Sequence, residues 1–237
     1  MKKRIWELDA LRGICVIGMV LVHLFFDLCV MYRIVDWELP NWFSFIQNWG
    51  GVLFLLISGI SATLGSRSVR RGLIVLGCGM AVTAVTVGMY LMNMASIGII
   101  IYFGVLQCLG MCMILWPLFK KLPWRIYPLL GGAMIVVGLY LSTLPGIDSW
   151  WLMPFGLPWK NFYSADYFPL LPNLGYFLLG AALGRTLYRK KQTLLPNVNE
   201  KQPVLAFFQL CGKLSLPIYL LHQPLISGIC MLFFYRR

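Results

Sequence analysis

Seven long apolar runs follow one another along the chain, at about residues 11–31, 43–64, 72–92, 97–119, 126–143, 167–188 and 214–234. Each is near the ~20 residues that an α-helix needs to cross a bilayer core. Each is therefore predicted as a transmembrane helix. A shorter apolar stretch, 204–211, is predicted as an interfacial helix leading into the last span. The connections 32–42, 93–96 and 144–166 alternate with inner ones, of which 189–202 is the single polar linker of any length. No soluble domain and no repeat interrupts this order. The expectation is an all-α, polytopic membrane helical bundle of about seven transmembrane helices, forming one domain over residues 1–237.

Composition agrees with the pattern. Hydrophobic residues make up 59% of the 237, and there are only eight acidic side chains. The mean hydropathy is +0.77. A chain with lipid to satisfy needs that much apolar surface; a soluble domain does not. The net charge of +12 would suggest nucleic acid if the basic residues shared a face. They fall instead in short runs between apolar segments: Lys2, Lys3 and Arg4; Arg67, Arg70 and Arg71; Lys120, Lys121 and Arg125; Arg189, Lys190 and Lys191. With the N-terminus in the cytoplasm all four runs lie inside, and Arg33, Lys160, Arg236 and Arg237 remain outside. No nucleic-acid partner is expected. The seven cysteines all lie in apolar stretches without CxxC spacing, which supports neither a metal site nor a disulfide framework.

Against this apolar background, each ionisable group needs a partner or a task. At ~100° per residue, Asp9, Arg12, Val16, Val20, His23 and Asp27 share a stripe about 80° wide on the first helix. His23 lies about 16 Å along the axis from Arg12. Asp27 is one turn further, where it can hydrogen-bond an imidazole nitrogen. A histidine oriented by a carboxylate in a low-dielectric site is a general base. The same stripe could also be glue between helices. His222, in an apolar helix with Pro217 and Pro224, reaches a similar depth, as a packing residue or as part of the site. Asp166 opens the sixth run as a helix cap or as a carboxylate facing the same outer pocket as Asp27. The outer segment 149–159 (SWWLMPFGLPW) reads as an aromatic belt or as a platform for sugar rings. Gly180 and Gly184, four residues apart, predict close helix packing.

Several of these residues sit in recognisable motifs. Residues 8–14 (LDALRGI), with ten residues between Arg12 and His23, resemble the first-helix signature of membrane acyltransferases of the acyltransferase-3 type. Residues 54–59 (FLLISG) and 212–222 (GKLSLPIYLLH) are similar to that group's Phe-x-x-x-Ser-Gly pattern and its late Gly-x-x-Ser…Tyr-Leu-x-His segment. Residues 101–107 (IYFGVLQ) and 164–185 (SADYFPLLPNLGYFLLGAALGR) resemble the catalytic-domain family of heparan-alpha-glucosaminide N-acetyltransferase, whose small bacterial members are of about this length. The resemblance covers nearly the whole chain, in order.

The resemblance implies a bacterial cytoplasmic-membrane enzyme that transfers an acyl group, typically acetyl from cytoplasmic acetyl-CoA, to the amine or hydroxyl of a sugar or glycan acceptor. His23 matches the first-helix histidine that the superfamily assigns to catalysis; Asp27, as its orienting carboxylate, comes from the helical spacing above. Arg12 matches the paired basic residue. Arg12, Asp9, Gln107, Asp166 and His222 are the candidates for binding acyl-CoA and acceptor, in a pore-like site between the first, second, fourth, sixth and seventh helices. Larger relatives have ten or more helices, so a complete acyl-CoA tunnel would draw walls from a partner or from a second copy in a homo-oligomer. Family members often carry His where Gln107 stands; a glutamine orients substrate but is no base. The rival class is a proton-coupled transporter or permease, since buried His, Asp and Arg also mark ion pathways. A non-catalytic membrane scaffold is the third.

Overall fold

The computed structural model describes residues 4–38, 41–94 and 96–234; Lys2, Lys3, Arg236 and Arg237 of the charge pattern lie outside the described residues. Among the described residues the protein is all-helical, with eight α-helices: α1 (Trp6–Phe26), α2 (Asn41–Leu64), α3 (Ser68–Leu91), α4 (Val105–Phe119), α5 (Tyr127–Ser142), α6 (Leu170–Leu187), α7 (Pro203–Lys213) and α8 (Ser215–Phe234). Five helical stretches are long and apolar enough to cross a membrane: Trp6–Met31, Trp42–Leu64, Ser68–Leu91, Trp124–Leu141 and Ser215–Phe233. Their outward side chains, such as Leu73, Leu129, Val136 and Leu232, are exposed and apolar, which suits lipid. Of the seven expected spans, α4 is shorter, at 15 residues, and α6 is not among the five.

The helices fall into two compact units. One holds the described residues of Met1–Phe54 and Lys190–Arg237, and the other holds Leu55–Arg189. In the first unit α1 continues past Phe26 as a π-helical turn, Asp27–Met31. There the N–H of Tyr32 reaches five residues back to the Asp27 carbonyl, at 2.8 Å. The short stretch expected at 204–211 forms α7, which packs on α1 backbone to backbone. A Cβ on Gly13 would strike the Phe208 carbonyl, and one on Gly212 the Asp9 carbonyl. Glycine is what permits so close a crossing.

In the second unit α6 is buried on most of its faces, with Phe177, Leu178 and Ala181 fully enclosed. A helix apolar all round belongs in a core. Gly59 of α2 and Gly180 of α6 bring these helices into backbone contact, as the Gly180/Gly184 spacing predicts. Trp116 meets Tyr127 and Phe177 edge to face in the same unit, with ring centroids 5.7 and 6.2 Å away.

The fourth helix departs from its expected limits. The apolar run from 97 predicts helix, yet Ile97–Ile99 is a single 3-10 turn and the chain is extended until Gly104. The reason is non-local pairing. The Ile100 carbonyl accepts from the Ala165 N–H at 3.1 Å, and the Phe103 carbonyl from the Phe168 N–H at 2.8 Å. Ser164 Oγ accepts from the Tyr102 N–H. The same pairing delays α6 to Leu170. The loop before it is pinned by Tyr167, whose hydroxyl donates to the Met153 carbonyl at 2.6 Å. Burial pushes that hydroxyl's pKa up to about 12, so it stays a donor. At the loop's tip Trp150 and Trp151 stack, 3.7 Å between centroids, and both are largely exposed.

Candidate functional site

The polar stripe of α1 lies in the first unit. At its start Glu7 is buried, and its carboxylate accepts from Thr193 Oγ1 at 2.9 Å and from the Leu194 N–H at 2.8 Å. This clamp ties the polar linker to the head of α1. Asp9, also buried, accepts from Arg12 Nη1 at 3.0 Å, with Arg4 Nε 4.0 Å from its other oxygen. Arg12 and Asp9, both expected to bind the donor, are thus joined to each other. Beside them is a cavity of about 200 Å³ lined by Arg4, Trp6, Asp9, Glu200, Gln209 and Lys213.

Further along α1 the two histidines of the chain meet. The rings of His23 and His222 stand 4.9 Å apart between centroids, tilted by 55°. Nδ1 of His222 lies 2.6 Å from the Tyr219 carbonyl. A carbonyl only accepts, so Nδ1 carries the proton and Nε2 the lone pair in the neutral ring. That Nε2 is buried and has no hydrogen-bond partner among the described residues.

Asp27 is 1% exposed and begins the π turn. Its Oδ2 accepts from Gln223 Nε2 at 2.8 Å, and Ser227, one turn on along α8, faces the same carboxylate. Oδ1 of Asp27 and Oε1 of Gln223 are buried without a hydrogen-bond partner among the described residues. The hydrogen bond expected between His23 and Asp27 is therefore not made. The carboxylate turns to α8, which brings an amide donor to it, and His23 faces the other imidazole. Gln223 was missed in reading the sequence. It was detectable, as a polar side chain beside His222 in an otherwise apolar helix. Pro224 follows it and offers no N–H to the carbonyl one turn back.

Gln107 and Asp166 belong to the second unit. Gln107 is 2% exposed, and both sides of its amide are engaged. Nε2 donates to the Gly79 carbonyl at 2.9 Å and to Thr83 Oγ1 at 2.8 Å, while Oε1 accepts from the Gly104 N–H at 3.0 Å. Its oxygen meets the N–H of the N-cap residue Gly104, one half of a capping box, since glycine has no side chain to return the bond, and its nitrogen fastens α4 to α3. Gly79 makes room for it: a Cβ there would lie 2.8 Å from Gln107 Cδ. Asp166 does act as a cap, but not of the helix it precedes. Its Oδ2 accepts from the Val105 N–H at 3.0 Å, in the first turn of α4. The N-cap of α6 is Pro169, without a side-chain bond.

No group of three side chains able to hold a metal ion occurs among the described residues. The first unit therefore offers two facing imidazoles, His222 buried and His23 partly exposed, with a carboxylate that keeps one open oxygen and an amide bonded to its other oxygen. Such a set can move a proton and hold a donor-bearing substrate. Comparison with curated proteins and with solved structures gave no match. Residues 4–224, nearly the whole chain, match the family described as heparan-alpha-glucosaminide N-acetyltransferase, catalytic, and the protein belongs to that family.

Proposed function

We propose that this chain is a transmembrane acetyltransferase that moves the acetyl group of cytoplasmic acetyl-CoA onto the amine of a sugar acceptor, with the reacting atoms at His23. Family membership supports the reaction class. A concentration of unmet polar atoms supports the location. Five buried side-chain polar atoms lack a hydrogen-bond partner among the described residues, and four belong to Asp27, Tyr32, His222 and Gln223. All four residues lie in the π turn, at its C-terminal cap or on α8. Buried polar atoms are normally satisfied, so a cluster left open points to a task. Asp27 Oδ1, Gln223 Oε1 and His222 Nε2 are acceptors, and an amino sugar, with hydroxyls beside its amine, supplies the hydrogens they lack.

In this mechanism the amine nitrogen attacks the thioester carbonyl. His23 takes the proton that the nitrogen loses. The carbon–sulfur bond then breaks, and the proton passes to the departing CoA sulfur, leaving an amide and a free thiol. His222, fixed through Nδ1, holds the amine with Nε2. At the cytoplasmic end Arg4, Arg12 and Lys213 attract the CoA phosphates. Arg12 is about 16 Å from His23 along α1. Gln107 and Asp166 hold the α4 N-terminus in shape. In this reading α4 and α6 also cross the bilayer, the N-terminus is inside, and a second copy completes the acyl-CoA path.

The test is purified protein in lipid nanodiscs, given acetyl-CoA labelled in the acetyl group together with glucosamine, galactosamine or glucose. Label on the amino sugars, matched by free thiol and lost in His23→Ala, is the expected result. If no label moves, and reconstituted vesicles instead take up sugar coupled to protons, the chain is a transporter.

A further inference from the structure

We propose that Gln223 is a positioning residue for this reaction, aligning Asp27 and the acceptor between the two imidazoles; the proposal rests on the acetyl-transfer reading above. Two consecutive residues of α8 make the two cross-helix contacts of the site. His222 meets the ring of His23 at 4.9 Å, and Gln223 meets Asp27 at 2.8 Å. Neighbouring side chains on a helix diverge by about 100°, whereas His23 and Asp27, four apart, diverge by about 40°. Both contacts form only if α8 straddles the α1 stripe, with the ring on one side and the amide on the other.

The chemistry of the amide then fixes the rest. Gln223 uses an N–H on Asp27 Oδ2, which sets the roll of the carboxylate and leaves Oδ1 open. Its own oxygen, at the other end of the planar amide, is also buried and open. A glutamine present only to join two helices would have its oxygen satisfied as well, as both ends of Gln107 are in the second unit. The π turn contributes to the same arrangement. It begins at Asp27, and such turns are frequent at functional sites. Asp27 thus acts through Gln223 and the acceptor, and not by gripping His23.

The experiment is a double-variant cycle on the full chain in nanodiscs: wild type, Gln223→Leu, Asp27→Asn and the pair, each with kcat and the KM for acetyl-CoA. Misplacing reacting groups by about 1 Å lowers rates about 10²-fold, so each single variant should lose about that much in kcat, with donor KM within about twofold. The pair should be no worse than Asp27→Asn alone, because both changes break one alignment. Should Gln223→Leu fail to fold, Gln223→Glu keeps the shape without a donor for ionised Asp27, and should show the same loss. Wild-type kcat in either Gln223 variant, or losses that multiply in the pair, overturns the proposal. If wild type transfers acetyl and His23→Ala does not, that failure is the proposal's alone. A wild type that transfers nothing removes the acetyl-transfer reading, and this one with it.

Discussion

Asp27 and Gln223 stand 196 positions apart in the chain and share one buried hydrogen bond, 2.8 Å from amide nitrogen to carboxylate oxygen. It joins the end of α1 to the middle of α8, and a second contact of the same pair of helices, His23 on His222, lies beside it. A carboxylate in so closed a setting is tolerable only with strong partners, and half of this one is left open for another. Asp27→Asn should therefore keep the helix pair together and lower turnover. An amide at 27 preserves shape but removes the charge that an amine hydrogen seeks. Expression and detergent melting near wild type with a fall in kcat is the expected result; a fall in melting temperature alone would make Asp27 a structural residue.

Gln107 should behave in the opposite way. Gln107→Leu leaves the buried Gly104 N–H without a partner and takes one hydrogen bond each from the Gly79 carbonyl and the Thr83 hydroxyl, which keep their bond to each other. A buried group left unmatched costs about 1–3 kcal/mol, and each lost bond adds about 1 kcal/mol. Melting in detergent should drop by many degrees, while the fraction that stays folded turns over at nearly the wild-type kcat. A stable Gln107→Leu protein with no activity would move this residue to the substrate.

The crossing of α1 and α7 gives a test of packing with its own control. Gly13→Ala and Gly212→Ala each drive a methyl group into the partner helix's carbonyl, so both should prevent folding or strip α7 from α1. Gly77→Ala and Gly132→Ala face open space, with nothing within 4 Å. They should be neutral or slightly stabilising, since alanine is the better helix former by about 1 kcal/mol. Thermal melts of the four variants side by side decide it; equal melts would mean the crossing is not as drawn.

The basic runs predict an orientation that labelling can check. A cysteine at Ser149, in a protein otherwise free of cysteine, should react with an impermeant reagent added to whole cells, and one at Ser66 should react only after lysis. The reverse pattern would invert the bundle and put the basic clusters outside.

Five of the seven expected spans and the two histidines are legible in the residues themselves, because a long apolar run and an ionisable group within one are both conspicuous. His23 and His222 stand out in that way and meet ring to ring, while Asp27, as conspicuous, bonds to Gln223. Gln223 was overlooked because an amide carries no charge, although a polar group in hydrocarbon needs a partner just as a charge does. The π turn at Asp27 has no compositional mark. The extended stretch before α4 looked helical because its apolar run is continuous, and the strand-like pairing with 164–168 comes from residues more than sixty positions away. A local clue is present: Gln107 stands three residues after Gly104, the spacing at which a glutamine side chain turns back to an N-cap N–H, and α4 starts there.

Separating chemistry from donor binding is the decisive comparison along α1. His23→Ala should abolish transfer in a protein that folds and still binds CoA, since losing a general base removes about 10²- to 10⁴-fold in rate. Arg12 calls for more care. It is paired with buried Asp9 at 3.0 Å, so Arg12→Ala alone strands a carboxylate, and breaking a buried pair from one side costs about 3–5 kcal/mol. Part of that penalty is relieved here because the arginine side chain is 22% exposed. The cleaner variant changes both partners, Asp9→Asn with Arg12→Leu, which leaves no buried charge unpaired; Arg4, the other cation beside Asp9, is largely exposed. If Arg12 meets the CoA phosphates, this double variant should raise the half-saturating acetyl-CoA concentration at least tenfold, about 1.4 kcal/mol of binding, and change kcat little. CoA affinity measured by calorimetry should weaken in the double variant and stay unchanged in His23→Ala. If the double variant binds CoA as wild type does, the Asp9–Arg12 pair is a helix-end clamp and the donor phosphates rest on other cations. If His23→Ala still turns over, the base must be sought in the other ring, His222, whose anchored Nδ1 and open Nε2 already suit that task.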